Sequence, residues 1–361
     1  MPVSEYFSAD YAAARELFRA EATRAGAHLT AHQLPGHRDA RGESLSIDVA
    51  RLGAANAERA LLVISGTHGV EGFCGSGCQV GFLRDRLHEA LPTATCAVLV
   101  HALNPYGFAH LRRVNEDGID INRNFMDFSQ PLPSSAAYEA LHDWLVPGDW
   151  QGEARQRADA ALQGFIQQHG PRALQAALQR GQYTRPTGLF YGGTRGTWSA
   201  YTLAKIASEQ LKSVRRIAVL DLHTGLGPTG YGEPILVARS PAVRERAQRW
   251  YGCEIRDVFA DESVSAQVVG SVADGLAAAL PERELTYVAL EFGTRPLFEV
   301  LDALRADHWR HASGRADESV HESIRRQMKA AFYCEDSAWQ TAVYGRTADF
   351  VYRASRGLAE S

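Results

Sequence analysis

Three largely apolar runs, at residues 60–64, 217–222 and 285–292, constrain this chain more than any other feature of its sequence. Each has the length of a buried strand, and each meets a polar or ionisable residue that a core does not tolerate unpaired. Ala60-Leu61-Leu62-Val63-Ile64 gives way at once to Ser65-Gly66-Thr67-His68-Gly69-Val70-Glu71-Gly72. The second run, Ile217 to Leu222, leads into His223, and the third carries Glu291 between Leu290 and Phe292. A fourth run, residues 96–101, reads as another interior strand. Residues 77–91 lie before it with helical composition and place Val80, Leu83 and Leu87 at three- and four-residue spacing. A strand, a helix and a strand in that order imply a right-handed crossover and a largely parallel sheet. Ligands bind outside the carboxyl ends of strands in such sheets. His68, Glu71, His223 and Glu291 all fall there.

The remaining segments fill out this frame. Residues 1–30 predict an amphipathic helix, and 45–49 alternate as a half-exposed strand (Leu45, Ile47 and Val49 against Ser46 and Asp48). Residues 135–180 predict helices, as do 197–211 and most of the chain after 296, and 234–238 predict a short strand. No repeat or composition break divides the 361 residues. The expectation is therefore one domain, 1–361, with an N-terminal helical lead (1–30) and a helical insert at about 126–200. A formal charge of -4, from 38 Lys+Arg and 42 Asp+Glu, argues against nucleic acid or an anionic membrane as partner. No apolar run is long enough to cross a bilayer. The first residues lack the basic and apolar regions of a signal peptide, and the cysteines are odd in number and scattered, which suits a reducing cytoplasm. Cys74 and Cys78 read as small packing residues at a helix start.

Two histidines and a glutamate form a His₂Glu set, the type that holds catalytic zinc through three protein ligands and leaves one position open. His68, Glu71 and His223 would be the ligands, for one Zn²⁺ per chain. Bound zinc brings the pKa of its water to about 7 and polarises a carbonyl. Glu291 would be the carboxylate that moves the proton. Asp221 would orient His223 if strand alternation is regular, since both then share a face. The glycines around His68 would allow tight turns and a close approach of metal and substrate to the backbone. A second stretch, Arg112-Arg113-Val114-Asn115-Glu116-Asp117-Gly118-Ile119-Asp120-Ile121-Asn122-Arg123-Asn124-Phe125, gathers arginines and asparagines suited to a carboxylate.

In this order the motifs resemble the zinc carboxypeptidase-like superfamily, over roughly residues 60–125 and 215–300. The resemblance is carried by His68-x-x-Glu71, Asn104-Pro105-Tyr106-Gly107, Gly118 to Phe125, His223 and Glu291. It implies an α/β fold with a mixed, mainly parallel sheet and helices on both faces. It also implies zinc on His68, Glu71 and His223, with Glu291 as general base. Asn122 and Arg123 would hold the substrate carboxylate. Arg113 would polarise the scissile carbonyl, with Arg112 as the alternate. The implied activity is hydrolysis of an amide next to a free carboxylate, on a peptide substrate. Asp221-Leu222-His223-Thr224-Gly225 is similar instead to the deacylases that include succinylglutamate desuccinylase and aspartoacylase, whose substrates would be N-acyl amino acids. Gly66-Thr67-His68-Gly69-Val70-Glu71-Gly72 is similar to a bacterial branch of the superfamily. A binding module that kept the fold without the chemistry is the third reading. The superfamily's mobile tyrosine has two candidates here, Tyr231 and Tyr251.

Overall fold

The structure is a computed structural model that describes residues 2–238, 240–260, 263–313 and 318–360. Its strands are β1 (His28–Arg38), β2 (Ser44–Gly53), β3 (Arg59–Ile64), β4 (Thr95–His101), β5 (Arg216–Thr229), β6 (Gly232–Leu236), β7 (Arg256–Asp257) and β8 (Glu284–Gly293). Its helices are α1 (Tyr11–Arg24), α2 (Gly72–Arg84), α3 (Pro105–Ala109), α4 (Ala136–Leu145), α5 (Glu153–His169) and α6 (Pro171–Gln179), followed by α7 (Trp198–Gln210), α8 (Pro241–Tyr251), α9 (Val272–Ala279), α10 (Leu297–Ser313), α11 (Glu318–Phe332) and α12 (Ser337–Leu358). The strands form one sheet in the order β1-β2-β4-β3-β5-β8-β6-β7.

The apolar runs occupy the centre of that sheet, where both faces are covered. β4, β3, β5 and β8 are parallel neighbours, while β1, β2 and β6 pair antiparallel around them. The sheet is thus mixed and mainly parallel. Alternate side chains feed two cores. Leu61, Val63, Leu220 and Leu290 pack with Phe18 of α1, Phe82 of α2 and Phe350 of α12. Leu62, Ile64, Val219 and Tyr287 pack on the other face with Leu203 of α7 and Leu276 of α9. The register brings the strand ends together: Ile64 faces Asp221 across β3 and β5, and His223 faces Glu291 across β5 and β8.

Two local expectations are corrected. The helix predicted over 1–30 covers only Tyr11–Arg24 and is capped by Asp10, whose carboxylate accepts from Ala13 N at 2.9 Å. Gly26, at φ +75°, stops the chain from continuing as helix, and the next residues form the edge strand β1. β2 is buried where a half-exposed strand was expected, because α1 covers its polar face. Arg15 and Arg19 reach the fully buried Asp48 at 2.6 and 2.5 Å, and Ser46 N donates to Tyr11 Oη at 2.9 Å. The helix expected at 77–91 begins earlier, at Gly72, and ends at Arg84. Cys74 and Cys78 are buried in it as packing residues. No helix among the described residues is long and apolar enough to cross a membrane.

His101 ends β4 inside the first core. Its ring stacks on Phe18 at 4.4 Å and its Nε2 lies 2.8 Å from Ser76 Oγ. Burial pushes its pKa down to about 4.

Candidate active site

The turn after β3 is held by backbone contacts on three sides. Ser65 N donates to Val100 O at 3.1 Å, Leu103 N to Ser65 O at 2.9 Å and Asn104 N to Gly66 O at 2.8 Å. Asn104 also accepts from Gly107 N at 2.8 Å, which caps α3, and donates to Arg113 O at 3.1 Å. Gly69 N and Val70 N donate to the carbonyls of Arg113 and Arg112 at 3.0 and 2.9 Å. Here the expectation for the glycines is corrected. Gly66 alone of the three takes a positive φ, +62°. A Cβ on Gly69 would sit 2.1 Å from the Gly107 carbonyl carbon, and one on Gly72 would meet the Phe108 ring at 2.5 Å. Those two glycines admit α3, so the site turn is locked against the Asn104–Gly107 motif.

This turn delivers His68 and Glu71 to the end of β5. His68 Nδ1 lies 2.9 Å from Glu71 Oε1, His223 Nδ1 3.2 Å from Glu71 Oε2, and the two Nδ1 atoms 3.3 Å from each other. All three residues are buried, and their ligand atoms lie within 4.8 Å of one another. This cluster can hold a single metal ion. Each Nε2 faces a carboxylate, Asp120 Oδ1 at 3.2 Å for His68 and Asp221 Oδ2 at 3.0 Å for His223. Carboxylates in those positions favour Nε2-protonated rings and leave both Nδ1 lone pairs to a cation. The donor set therefore fits zinc. His223 Nε2 lacks an in-line hydrogen bond despite its proximity to Asp221. Arg113 Nη2, 2.7 Å from His68 Nε2, requires that nitrogen to accept, so this contact and metal ligation through Nδ1 are alternative states of one ring.

The electrostatics follow from burial opposed by pairing. Burial alone would raise the Glu71 pKa, but His68 and His223 outweigh it and hold the carboxyl well below its ordinary range. Burial opposes protonation of His223, and Asp221 with Glu71 overcome it, so its pKa is raised. Asp120 is held low because Arg113, Arg123 and His68 outweigh its burial. Glu291 goes the other way. Burial first, and the charge of Glu71 second, raise its pKa. Its Oε1 accepts a single backbone hydrogen bond, from Leu226 N at 3.1 Å.

The arginines separate clearly. Arg113 lines the cleft and contacts Glu71 at 3.3 Å and Asp120 at 3.1 Å. Arg112 turns away from the cleft into a buried pair with Asp307 of α10 at 2.9 Å, which corrects its place as an alternate substrate ligand. Arg123 lines the cleft with its Nε donating to Gln179 O at 2.7 Å and its Nη1 to Asn122 O at 2.9 Å. Asn122 accepts from Val272 N at 2.9 Å through Oδ1, which turns its amide nitrogen into the remaining donor. Tyr231 is exposed beside Arg346, and Tyr251 is buried against Phe350, so neither reaches the cleft. Tyr287 does line it and donates to Asp221 Oδ2 at 2.6 Å.

Sequence reasoning missed two further residues. Asp120 was visible only as one acid among several in a polar loop, although its isoleucine neighbours mark it as buried. Phe190 had no signal at all. The guanidinium groups of Arg113 and Arg123 lie over its ring, 5.2 and 5.7 Å from the centroid, and its backbone has φ +55°. A non-glycine residue in that region is strained by about 1 kcal/mol or more.

Residues 7–346 match the family model described as Protein of unknown function (DUF2817), and the chain belongs to that family. None of the curated proteins matches the chain. Among solved structures, carboxypeptidase A from Helicoverpa armigera is similar at 13% identity and TM-score 0.45, over 90% of this chain and 74% of that one. Bovine thrombin-activatable fibrinolysis inhibitor aligns at 12% identity and TM-score 0.44, over 95% and 98% of the two chains. An aspartoacylase family protein from Mesorhizobium loti aligns at 14% identity and TM-score 0.37, over 81% and 68%.

Proposed function

We propose that this member of the DUF2817 family is a zinc-dependent hydrolase that releases the carboxylate-bearing residue from the end of a peptide. The reading rests above all on the convergence of His68, Glu71 and His223 at one point, beside a separate buried carboxylate, Glu291. Zinc on those three residues would supply a Lewis acid and a water acidified to a pKa of about 7. Glu291, with one hydrogen bond and a raised pKa, suits proton transfer near neutral pH. It would take a proton from the attacking water and pass it to the amine as the carbon–nitrogen bond breaks. Arg113 stands over the same point to stabilise charge on the carbonyl oxygen, on leaving His68. Asn122 and Arg123, on one turn of the same loop, would fix the free carboxylate.

Two measurements test this. Protein purified without added metal is assayed for zinc by mass spectrometry, and the loaded protein is offered blocked dipeptides and N-acyl amino acids. About one zinc per chain with turnover of the dipeptides is the expected result. Turnover of N-acyl amino acids alone moves the activity to the deacylases, and zinc without any amide hydrolysis refutes the reading.

A further inference from the structure

Three of the buried aspartates are paired with arginine: Asp48 with Arg15 and Arg19, Asp120 with Arg113, and Asp307 with Arg112. Asp221 is as deeply buried, on a central strand of the sheet, and is held differently. Among the described residues no arginine or lysine forms an ion pair with it. Its oxygens are taken up by hydroxyls instead. Thr67 Oγ1 donates to Oδ1 at 2.9 Å, and Tyr287 Oη donates to Oδ2 at 2.6 Å. His223 Nε2 lies 3.0 Å from the same Oδ2, out of line for a hydrogen bond.

The two donors come from either side of the site. Thr67 immediately precedes His68 in the turn after β3, and Tyr287 stands four residues before Glu291 on β8. Alternation puts 287, 289 and 291 on one face of β8, and 221 and 223 on one face of β5. Asp221 is opposite Ala289 and Val219 opposite Tyr287, so the tyrosine reaches its partner diagonally across the strand pair. One carboxylate therefore joins the turn that bears His68, the strand that bears His223 and the strand that bears Glu291.

A buried carboxylate is costly unless a positive charge answers it. An arginine on Asp221 would supply that charge and draw the oxygens away from His223. Hydroxyl donors fix the carboxylate's direction and add no charge. The positive charge left to answer Asp221 is that of His223 and of a cation on its Nδ1. We infer that Thr67 and Tyr287 are positioning residues of the metal site: their hydroxyls hold the Asp221 carboxylate against His223 Nε2 without neutralising it, which keeps Nδ1 free to ligate. The assignment rests on the zinc reading above. Partners of metal-bound histidines in this position change metal affinity about 10- to 100-fold.

The test reads zinc affinity as well as turnover. The zinc-loaded full chain is titrated with a chromophoric chelator, and urea unfolding of the stripped chain is followed beside it. Tyr287→Phe keeps the ring that lines the cleft and removes the hydroxyl alone. It should raise the zinc Kd about tenfold or more. Thr67→Val should act in the same direction, and Thr67→Ser, which returns a hydroxyl, should recover most of the affinity. In an Asp221→Asn background Tyr287→Phe should cost less than about twofold more, because its effect passes through the carboxylate. An equal loss in both backgrounds overturns the assignment. So does a fall in urea stability with the zinc Kd unchanged, the mark of hydroxyls that merely satisfy a buried acid. Weakened zinc in the variants of a parent that binds zinc but hydrolyses no amide keeps the positioning roles and refutes the hydrolase. Zinc-dependent hydrolysis with the Kd unmoved by either substitution does the reverse.

Discussion

Glu291→Gln tests the proposed proton carrier separately from the proposed metal ligands. The glutamate accepts one hydrogen bond, from Leu226 N at 3.1 Å, and the amide oxygen of glutamine can accept it equally. The change also removes a carboxyl whose ionisation is opposed by burial and by Glu71. Folding and metal content should therefore be unchanged or improved. What is lost is the ability to take and return a proton. General acid–base catalysis contributes about 10²- to 10⁴-fold, so kcat should fall roughly a thousandfold, close to 4 kcal/mol in the barrier. The assay pairs single-residue release followed by chromatography with zinc per chain and the melting temperature. A variant that keeps its zinc and more than about a tenth of the parental kcat would refute the assignment of the base. A variant that loses zinc would show that Glu291 belongs to the metal cluster.

The other perturbations act through the scaffold. Gly69→Ala drives a Cβ to 2.1 Å from the Gly107 carbonyl carbon, so it should destabilise the fold by at least about 3 kcal/mol and lower zinc content, read by denaturation and metal analysis. Arg112→Met leaves Asp307 buried and unpaired and should cost about 3–5 kcal/mol in urea unfolding, with zinc per chain unchanged. Phe190→Ala removes the ring that both Arg113 and Arg123 overlie, each contact worth about 0.5–2 kcal/mol, so KM should rise several-fold or more with a smaller change in kcat. His101 is held near pKa 4 when folded against about 6.5 unfolded, so its contribution is complete above pH 6.5 and is lost as pH falls toward 4. That is about 3 kcal/mol over the window, and His101→Gln should flatten the pH dependence of unfolding there; an unchanged slope refutes the assignment.

Much of the site could be read from sequence because its ligands break a pattern. A histidine or carboxylate at the end of an apolar strand is energetically anomalous, and the parallel order of β3, β5 and β8 turns three such anomalies into one place. What could not be read depended on partners far along the chain. Arg112 and Arg113 are neighbours of identical chemistry, and only Asp307, 195 residues away, draws the first out of the cleft. Asp48 looked like the solvent side of a strand because the two arginines that bury it lie on a helix 29 and 33 residues earlier.

The glycines carry the sharper lesson. Gly69 suggested an approach by metal or substrate, since a missing side chain says only that something comes close. The Gly107 backbone is what comes close, in the Asn104–Gly107 motif. Both motifs thus follow from one contact: the turn bearing His68 and Glu71 cannot be placed without α3, and α3 is capped by the same Asn104 that binds Arg113 O. His68, Glu71 and Arg113 are consequently set by a single junction. Helix α6 is attached at a different point, where Arg123 Nε donates to Gln179 O. A substitution at the Gly69–Gly107 contact should therefore disturb His68, Glu71 and Arg113 together.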